Sequence, residues 1–290
     1  MKPAAFSYHR PASLEEALAQ LARSDNAKVI AGGQSLGPMM NMRLAAPSAL
    51  VDLNDLTELS YVREVGDTLE IGALTRHHQV EQSELVRSSC PLLAQAARTI
   101  GHYAIRQRGT LGGSLAHADP AAQLALVAMT LDARINIVSV RGQRTLRAAD
   151  FFVGVMATAL EPDEVIRSVC FPKAASGEGT EYQIFNRRHG DFAIVAVATT
   201  VTLQDERVAS LRLGLSGIGP VPLSYDALAS EFAGRIPDDA WIAELAGAAR
   251  DAIAPEDDAR VPAVYRRELT ETLVRRALVR ALERAQGSMP

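Results

Sequence analysis

The stretches Ala31-Gly32-Gly33-Gln34-Ser35 and Thr110-Leu111-Gly112-Gly113-Ser114 decide how this chain is read. Each follows a short apolar or mixed run, and each sets two glycines side by side. Paired glycines let a backbone approach a ligand closely and turn successive N–H groups inward, forming a concavity suited to phosphate. Two such turns can hold a diphosphate between them, and a diphosphate points to a dinucleotide. Taken singly, each Gly-Gly reads as a tight connection between elements. The run Gly32 to Gly37 has the outline of a phosphate loop, but Pro38-Met39 stands where that motif needs Lys followed by Ser or Thr. No G-x-G-x-x-G follows a strand, so the Rossmann fingerprint is missing too. A dinucleotide would have to be held in another way.

Working outward, Ser13 caps a helix whose apolar face is Leu14, Ala17, Leu18 and Leu21, with Glu16 completing a capping box. A strand through Lys28-Val29-Ile30 runs into the first glycine turn. Leu50 to Leu53 and Leu69 to Ala73 read as further strands, and Thr75 as the cap of the next helix. Pro91 opens a helix carrying Leu92, Leu93, Ala96, Ala97 and Ile100 at helical spacing, and the second glycine turn comes soon after it. The run Leu124 to Leu131 reads as a buried helix, Ala133 to Val140 as a strand turning near Arg141-Gly142, and Val165 to Phe171 as the strand that closes this part. Lys173 to Thr180 is the best linker candidate. Three strands follow, around Tyr182 to Arg187, Phe192 to Leu203 and Ala209 to Ser216. A last helix from about Pro262 to Ala285 places Leu273, Val274, Ala277, Leu278, Ala281 and Leu282 on one side. An antiparallel sheet backed by helices is the economical arrangement.

With 290 residues the chain can bury a large core and divides into two domains. Its 48% hydrophobic and 22% charged residues are those of an ordinary soluble protein. A net charge of −4 without a basic stripe gives no reason to expect nucleic acid. The Arg-rich run Arg266 to Arg284 is interrupted by Glu268, Glu271 and Glu283 and reads first as a solvated helix face and second as a docking surface. No signal-peptide core follows Met1-Lys2 and no run reaches the roughly 20 apolar residues of a membrane span, so a cytoplasmic location is expected. Cys90 and Cys170 form no disulfide framework and cannot supply the four ligands of an all-cysteine iron–sulfur cluster, which leaves them as structural thiols.

The words around the two turns resemble the FAD-binding medium subunit of molybdenum hydroxylases, the xanthine dehydrogenase and aerobic carbon monoxide dehydrogenase family. Phe6-Ser7-Tyr8, Pro11, Ser13-Leu14-Glu15-Glu16-Ala17 and Val29 to Met40 resemble its N-terminus. Ile105-Arg106 with Thr110 through Ala122 resembles its second signature. Arg187-Arg188-His189-Gly190-Asp191-Phe192-Ala193, Tyr265-Arg266-Arg267 and Val274-Arg275-Arg276-Ala277 resemble its C-terminal domain. The resemblance covers nearly the whole chain in order.

It implies an α+β fold. A two-part FAD-binding domain of the type shared with vanillyl-alcohol oxidase-like flavoproteins would span residues 1–175, with subdomains of about 1–56 and 57–175. A C-terminal domain of a three-stranded antiparallel sheet with helices would span 176–290. It also implies one noncovalent FAD per chain, with the molybdenum cofactor on a large partner subunit and 2Fe-2S clusters on a small one, assembled as a dimer of heterotrimers. The chain would be the electron outlet, passing electrons through FAD to NAD, oxygen, a quinone or a cytochrome.

Carried over residue by residue, the amides of Gly32, Gly33, Gln34 and Ser35 and those of Gly112, Gly113 and Ser114 would hold the diphosphate. Hydroxyls of Ser35, Thr110 and Ser114 would add hydrogen bonds, and Ile30, Ala31 and Leu36 would pack against the nucleotide. Asp119 reads as a turn or cap before Pro120, and with the resemblance as an acceptor for a cofactor hydroxyl. Phe192 reads either as a stacking or shielding group at the flavin ring or as a core residue. Ile184 stands near a position where some members carry a lysine that contacts the adenosine end, and it cannot make that charged contact. His77-His78 read as surface helix residues without metal-ligand spacing, and His102, His117 and His189 take no assigned role. Flavin carries the redox chemistry, so no catalytic triad is expected. A stand-alone FAD-dependent oxidoreductase of the same fold and a flavin-free scaffold are the competing classes.

Overall fold

The computed structural model describes residues 1–259 and 261–287. Ser13 caps helix Leu14–Arg23 by accepting from the Glu16 amide, and the Glu16 carboxylate accepts from the Ala12 amide at 2.8 Å, one residue earlier than in an ordinary capping box. Ala17, Leu18 and Leu21 bury their face against a parallel sheet in the order Ser7–His9, Ala49–Asp52, Ala27–Ile30. Parallel neighbours need crossover connections. The segment from Ala31 to Ser48, with the first glycine loop and the short helix Leu36–Asn41, makes the crossover between Ala27–Ile30 and Ala49–Asp52. The glycine loop thus leaves the carboxyl end of a parallel strand, the usual place for a ligand in such sheets.

A second sheet is antiparallel throughout, in the order Val62–Val65, Thr68–Gly72, Val165–Pro172, Arg134–Ser139, Gly142–Arg147. Leu69, Ile71, Ile135, Ile137, Val169 and Phe171 join one core with helices Pro91–Arg98 and Gln123–Thr130. Proline at N1 starts the first of these helices at no cost, because that N–H has no helical partner. The second is apolar nearly all round and is correspondingly buried.

The third sheet has four antiparallel strands, Gly179–Phe185, Val195–Gln204, Arg207–Ser216 and Leu223–Ser224, where the sequence predicts three. The fourth is two residues long, too short to show an alternating pattern. One face of this sheet packs on helices Asp239–Ala252 and Ala263–Ala285. The approach is close: a Cβ on Gly179 would lie 1.9 Å from the Ala281 carbonyl oxygen. The other face meets helix Gln123–Thr130, and a Cβ on Gly214 would lie 1.9 Å from Thr130 Oγ1. Tyr182, Ala196 and Ala198 belong to the same core as the second sheet, so the C-terminal sheet is fastened onto the helices of the preceding part.

Three local expectations are corrected. Thr75 is buried and its hydroxyl donates to the Tyr61 carbonyl, leaving Arg76 as N-cap of helix His77–Gln82. The strand expected from Phe192 begins only at Val195, because residues 186–194 form a loop between paired strands. Within that loop the Asp191 amide turns back to the Arg188 carbonyl at 3.0 Å, and the Ile194 amide closes it on the Phe185 carbonyl at 2.8 Å. The arginines of the last helix are not all a solvated face. Arg266 donates to the carbonyls of Ile194 and Gly217 at 2.8 and 2.6 Å, and Arg284 donates to the Thr180 carbonyl at 2.7 Å. No helix among the described residues is long and apolar enough to cross a membrane.

Candidate dinucleotide site

The two glycine segments are far apart in sequence, yet the first rests on the backbone that leads into the second. A Cβ on Gly32 would lie 2.1 Å from the Arg108 carbonyl oxygen and 2.9 Å from the Gly109 Cα, so only glycine allows this approach. Gly33 follows with φ +68°, a left-handed conformation that turns the chain back over the Ile30 side chain. The second segment docks along residues 73–77. Leu111 and Gly112 donate their amides to the carbonyls of Thr75 and Ala73, and His77 donates its amide to the Gly109 carbonyl. Arg76 and Thr110 face each other there as an isolated antiparallel bridge.

The amides of the two segments differ. Those of Gly32, Gly33, Gln34 and Ser35 meet no acceptor among the described residues, and all four residues are half-buried. The Gln34 side chain donates back to the Gly32 carbonyl at 2.9 Å, and the Ser35 hydroxyl makes no capping bond to helix Leu36–Asn41. A row of unpaired amides is a fitting cradle for an anion. The second segment is the start of a helix, Leu111–His117, with Thr110 as N-cap. Gly112 donates to the Ala73 carbonyl, Gly113 donates to Thr110 Oγ1 at 3.1 Å, and Ser114 donates to the Thr110 carbonyl. This corrects the expectation that these three amides are free to hold a diphosphate. What the segment offers is the exposed Gly113 backbone and the half-buried Ser114 hydroxyl, which makes no hydrogen bond among the described residues. Thr110 is buried, with its hydroxyl taken up in capping.

The remaining candidates are spread out. Ile30 lies under Gly33, the Ala31 carbonyl accepts from Asn54 Nδ2 at 2.8 Å, and Leu36 is half-buried in the first turn of its helix. Asp119 Oδ1 accepts from the Ala121 amide at 2.8 Å, the bond of a turn residue, at the far end of the helix that Thr110 starts. Phe192 is 66% exposed, which excludes the core role. A cavity of about 440 Å³ opens between Arg98, Thr99 and Arg106 on one side and Ile184, Asn186, His189 and Gly190 on the other. The rings of His102 and His189 are 5.9 Å apart beside it. Among the described residues no group of three or more His, Cys, Asp or Glu side chains could hold a metal ion.

His77 is buried, against the expectation of a surface residue, because its ring fills the space that Gly109 leaves open. Its Nε2 lies 2.9 Å from the Thr110 carbonyl, an acceptor, which makes Nε2 the protonated nitrogen and leaves Nδ1 without a partner. Burial pushes its pKa down from 6.5 to about 4. The native state therefore holds this imidazole neutral, and the unfolded state binds the extra proton first. Above pH 6.5 the ring carries no penalty, and stability falls as pH drops from there to about 4. The loss amounts to about 3 kcal/mol. Urea unfolding across this window should show a steeper loss of stability toward acid in the native chain than in His77→Gln. Equal slopes would contradict the buried neutral ring. Burial also pushes the Cys90 thiol up to about 12, whereas Cys170 is only half-buried.

Sequence reasoning passed over Asn54 and Arg76 and placed His77 on the surface. None carries a motif, and each acts through partners more than 20 residues away, as with Asn54 and Ala31 or Arg76 and Arg108.

Residues 4–174 match the family described as the FAD binding domain in molybdopterin dehydrogenase, and residues 180–281 match the CO dehydrogenase flavoprotein C-terminal domain. The nicotine 6-hydroxylase medium subunit of Paenarthrobacter nicotinovorans is 40% identical over 97% of this chain and 99% of its own length. The caffeine dehydrogenase subunit beta of Pseudomonas sp. (strain CBB1) is 37% identical over 98% of this chain and 97% of its own length. A chain of carbon monoxide dehydrogenase from Hydrogenophaga pseudoflava superposes with a TM-score of 0.94 at 35% identity, covering 98% of this chain and 99% of that one. The chain belongs to the FAD-binding medium subunits of the molybdenum hydroxylases, the flavoprotein components of oxidoreductases such as carbon monoxide dehydrogenase.

Proposed function

We propose that this chain binds one noncovalent FAD across the two glycine segments and serves as the electron outlet of a three-subunit complex. The amides of Gly32, Gly33, Gln34 and Ser35 take the diphosphate, with the hydroxyls of Ser35 and Ser114 as further donors. Gly112 lets the start of the helix lie against Ala73, Gly113 leaves its exposed face bare toward the cofactor, and Thr110 fixes the helix that carries both. Ile30, Ala31 and Leu36 flank the nucleotide, Asp119 faces a cofactor hydroxyl, and Phe192 shields the flavin ring. The FAD-binding part spans 1–175, as subdomains of about 1–56 and 57–175, and the C-terminal part spans 176–290. When bound, FAD supplies the redox chemistry between the iron–sulfur clusters of a small subunit and an external acceptor, with molybdenum on a large subunit. The chain's own work is to hold the cofactor and keep its ring reachable. The complex is a cytoplasmic dimer of heterotrimers.

The observation that carries this reading is the row of four unpaired amides beside a backbone that only glycine lets come near. The experiment is purification of the tagged chain from cells at native expression, with elemental analysis of what comes with it. Two further polypeptides, molybdenum, iron and acid-labile sulfide in the same fractions are expected. A yellow chain that elutes alone, free of both metals, would contradict the assembly and favour a stand-alone flavoprotein.

A further inference from the structure

Between the two glycine segments runs a chain of polar side chains that the cofactor reading does not use. Tyr8 donates its hydroxyl to the Asp52 carboxylate. The same carboxylate accepts from the Asn54 amide at 2.9 Å and from Asn54 Nδ2 at 2.5 Å. Asn54 Nδ2 also donates to the Ala31 carbonyl at 2.8 Å, immediately before Gly32. Asn54 Oδ1 accepts from Arg76 Nη2 at 2.7 Å, and Arg76 Nη1 donates to the Arg108 carbonyl. That carbonyl is the one against which Gly32 rests. One asparagine therefore holds the first segment, one arginine holds the backbone leading to the second, and the two are bonded to each other.

We propose that Arg76 and Asn54 form a strut that sets the spacing of the two glycine segments and so positions the four free amides for the cofactor diphosphate. This rests on the cofactor reading above. Arg76 forms no ion pair within 4.0 Å among the described residues. Burial and the nearby Arg108 charge both work against its guanidinium, and Asp52, beyond Asn54, is the carboxylate that supports it through space. A planar guanidinium can serve Asn54 and the Arg108 carbonyl at once from two nitrogens, which a lysine ammonium on a flexible stem does poorly. The role is one of positioning, since neither side chain needs to touch the cofactor.

The test uses the full chain, stripped of flavin and titrated with FAD, together with thermal unfolding of each flavin-free protein. Arg76→Gln and Asn54→Ala should each weaken FAD binding roughly tenfold or more, the effect of losing a hydrogen bond to a charged or buried group. Arg76→Lys should fall between the native chain and Arg76→Gln. Because the two residues act as one strut, the double variant should bind no more weakly than the weaker single variant. Unchanged FAD affinity with a lowered unfolding temperature would make the residues merely structural and overturn the proposal. Fully additive losses would overturn it too. A native chain that fails to take up FAD would instead remove the cofactor reading itself, and the proposal with it.

Discussion

Gly32→Ala should leave the chain unable to retain FAD, with affinity reduced on the order of 100-fold, equivalent to about 2.7 kcal/mol. A methyl group at this position would sit 2.1 Å from the Arg108 carbonyl oxygen and 2.6 Å from its carbon. Both are backbone atoms, and Arg76 and the docked second segment hold that backbone in place. The clash is relieved only by parting the two segments, which moves the amides of Gly32 to Ser35 away from whatever they jointly face. Equilibrium titration of the flavin-free variant measures the loss. FAD affinity equal to that of the native chain would show that the close approach is irrelevant to the cofactor.

The second large effect separates charge from fold. Gly113→Asp adds a carboxylate at the third position of helix Leu111–His117, where the positive end of the helix favours an acid. Its Cβ would meet only Thr110 Oγ1, at 2.8 Å, so a small local shift suffices. The fold should survive, yet the new charge stands on the exposed side of the segment, where it would repel a diphosphate. Gly33→Asp puts the same charge on the first loop and adds strain, because φ at Gly33 is +68°. Both variants should lose FAD, and circular dichroism should show Gly113→Asp folded. Full flavin occupancy in both would remove the diphosphate from this place. Loss in Gly33→Asp alone would confine the cofactor to the first segment.

The glycine pairs were legible because their constraint is local: a left-handed turn at Gly33 and side-chain-free contacts at Gly32 and Gly112 appear as residue identity. The buried helix and the last helix were legible for a similar reason, since burial on all sides or on one side leaves its period in the sequence. The helical start at Thr110 was hidden by the glycines themselves, which are poor helix formers, although Thr110 is a good N-cap residue. Whether an amide is free depends on acceptors brought from elsewhere. Ala73 and Thr75 take the amides of Gly112 and Leu111, and nothing near position 112 announces them. The burial of His77 depends likewise on Gly109, a contact set by how the segments meet. The two-residue strand Leu223–Ser224 carries too few positions to show any period.

The visible absorption spectrum of the purified chain, followed by chromatography of the cofactor released on denaturation, decides whether the two glycine segments hold a flavin dinucleotide. A flavin spectrum with FAD released at near one equivalent per chain is the predicted result. FMN in its place would contradict the diphosphate cradle, and a colourless chain that takes up no added FAD, alone or with its partner subunits, would contradict the account as a whole.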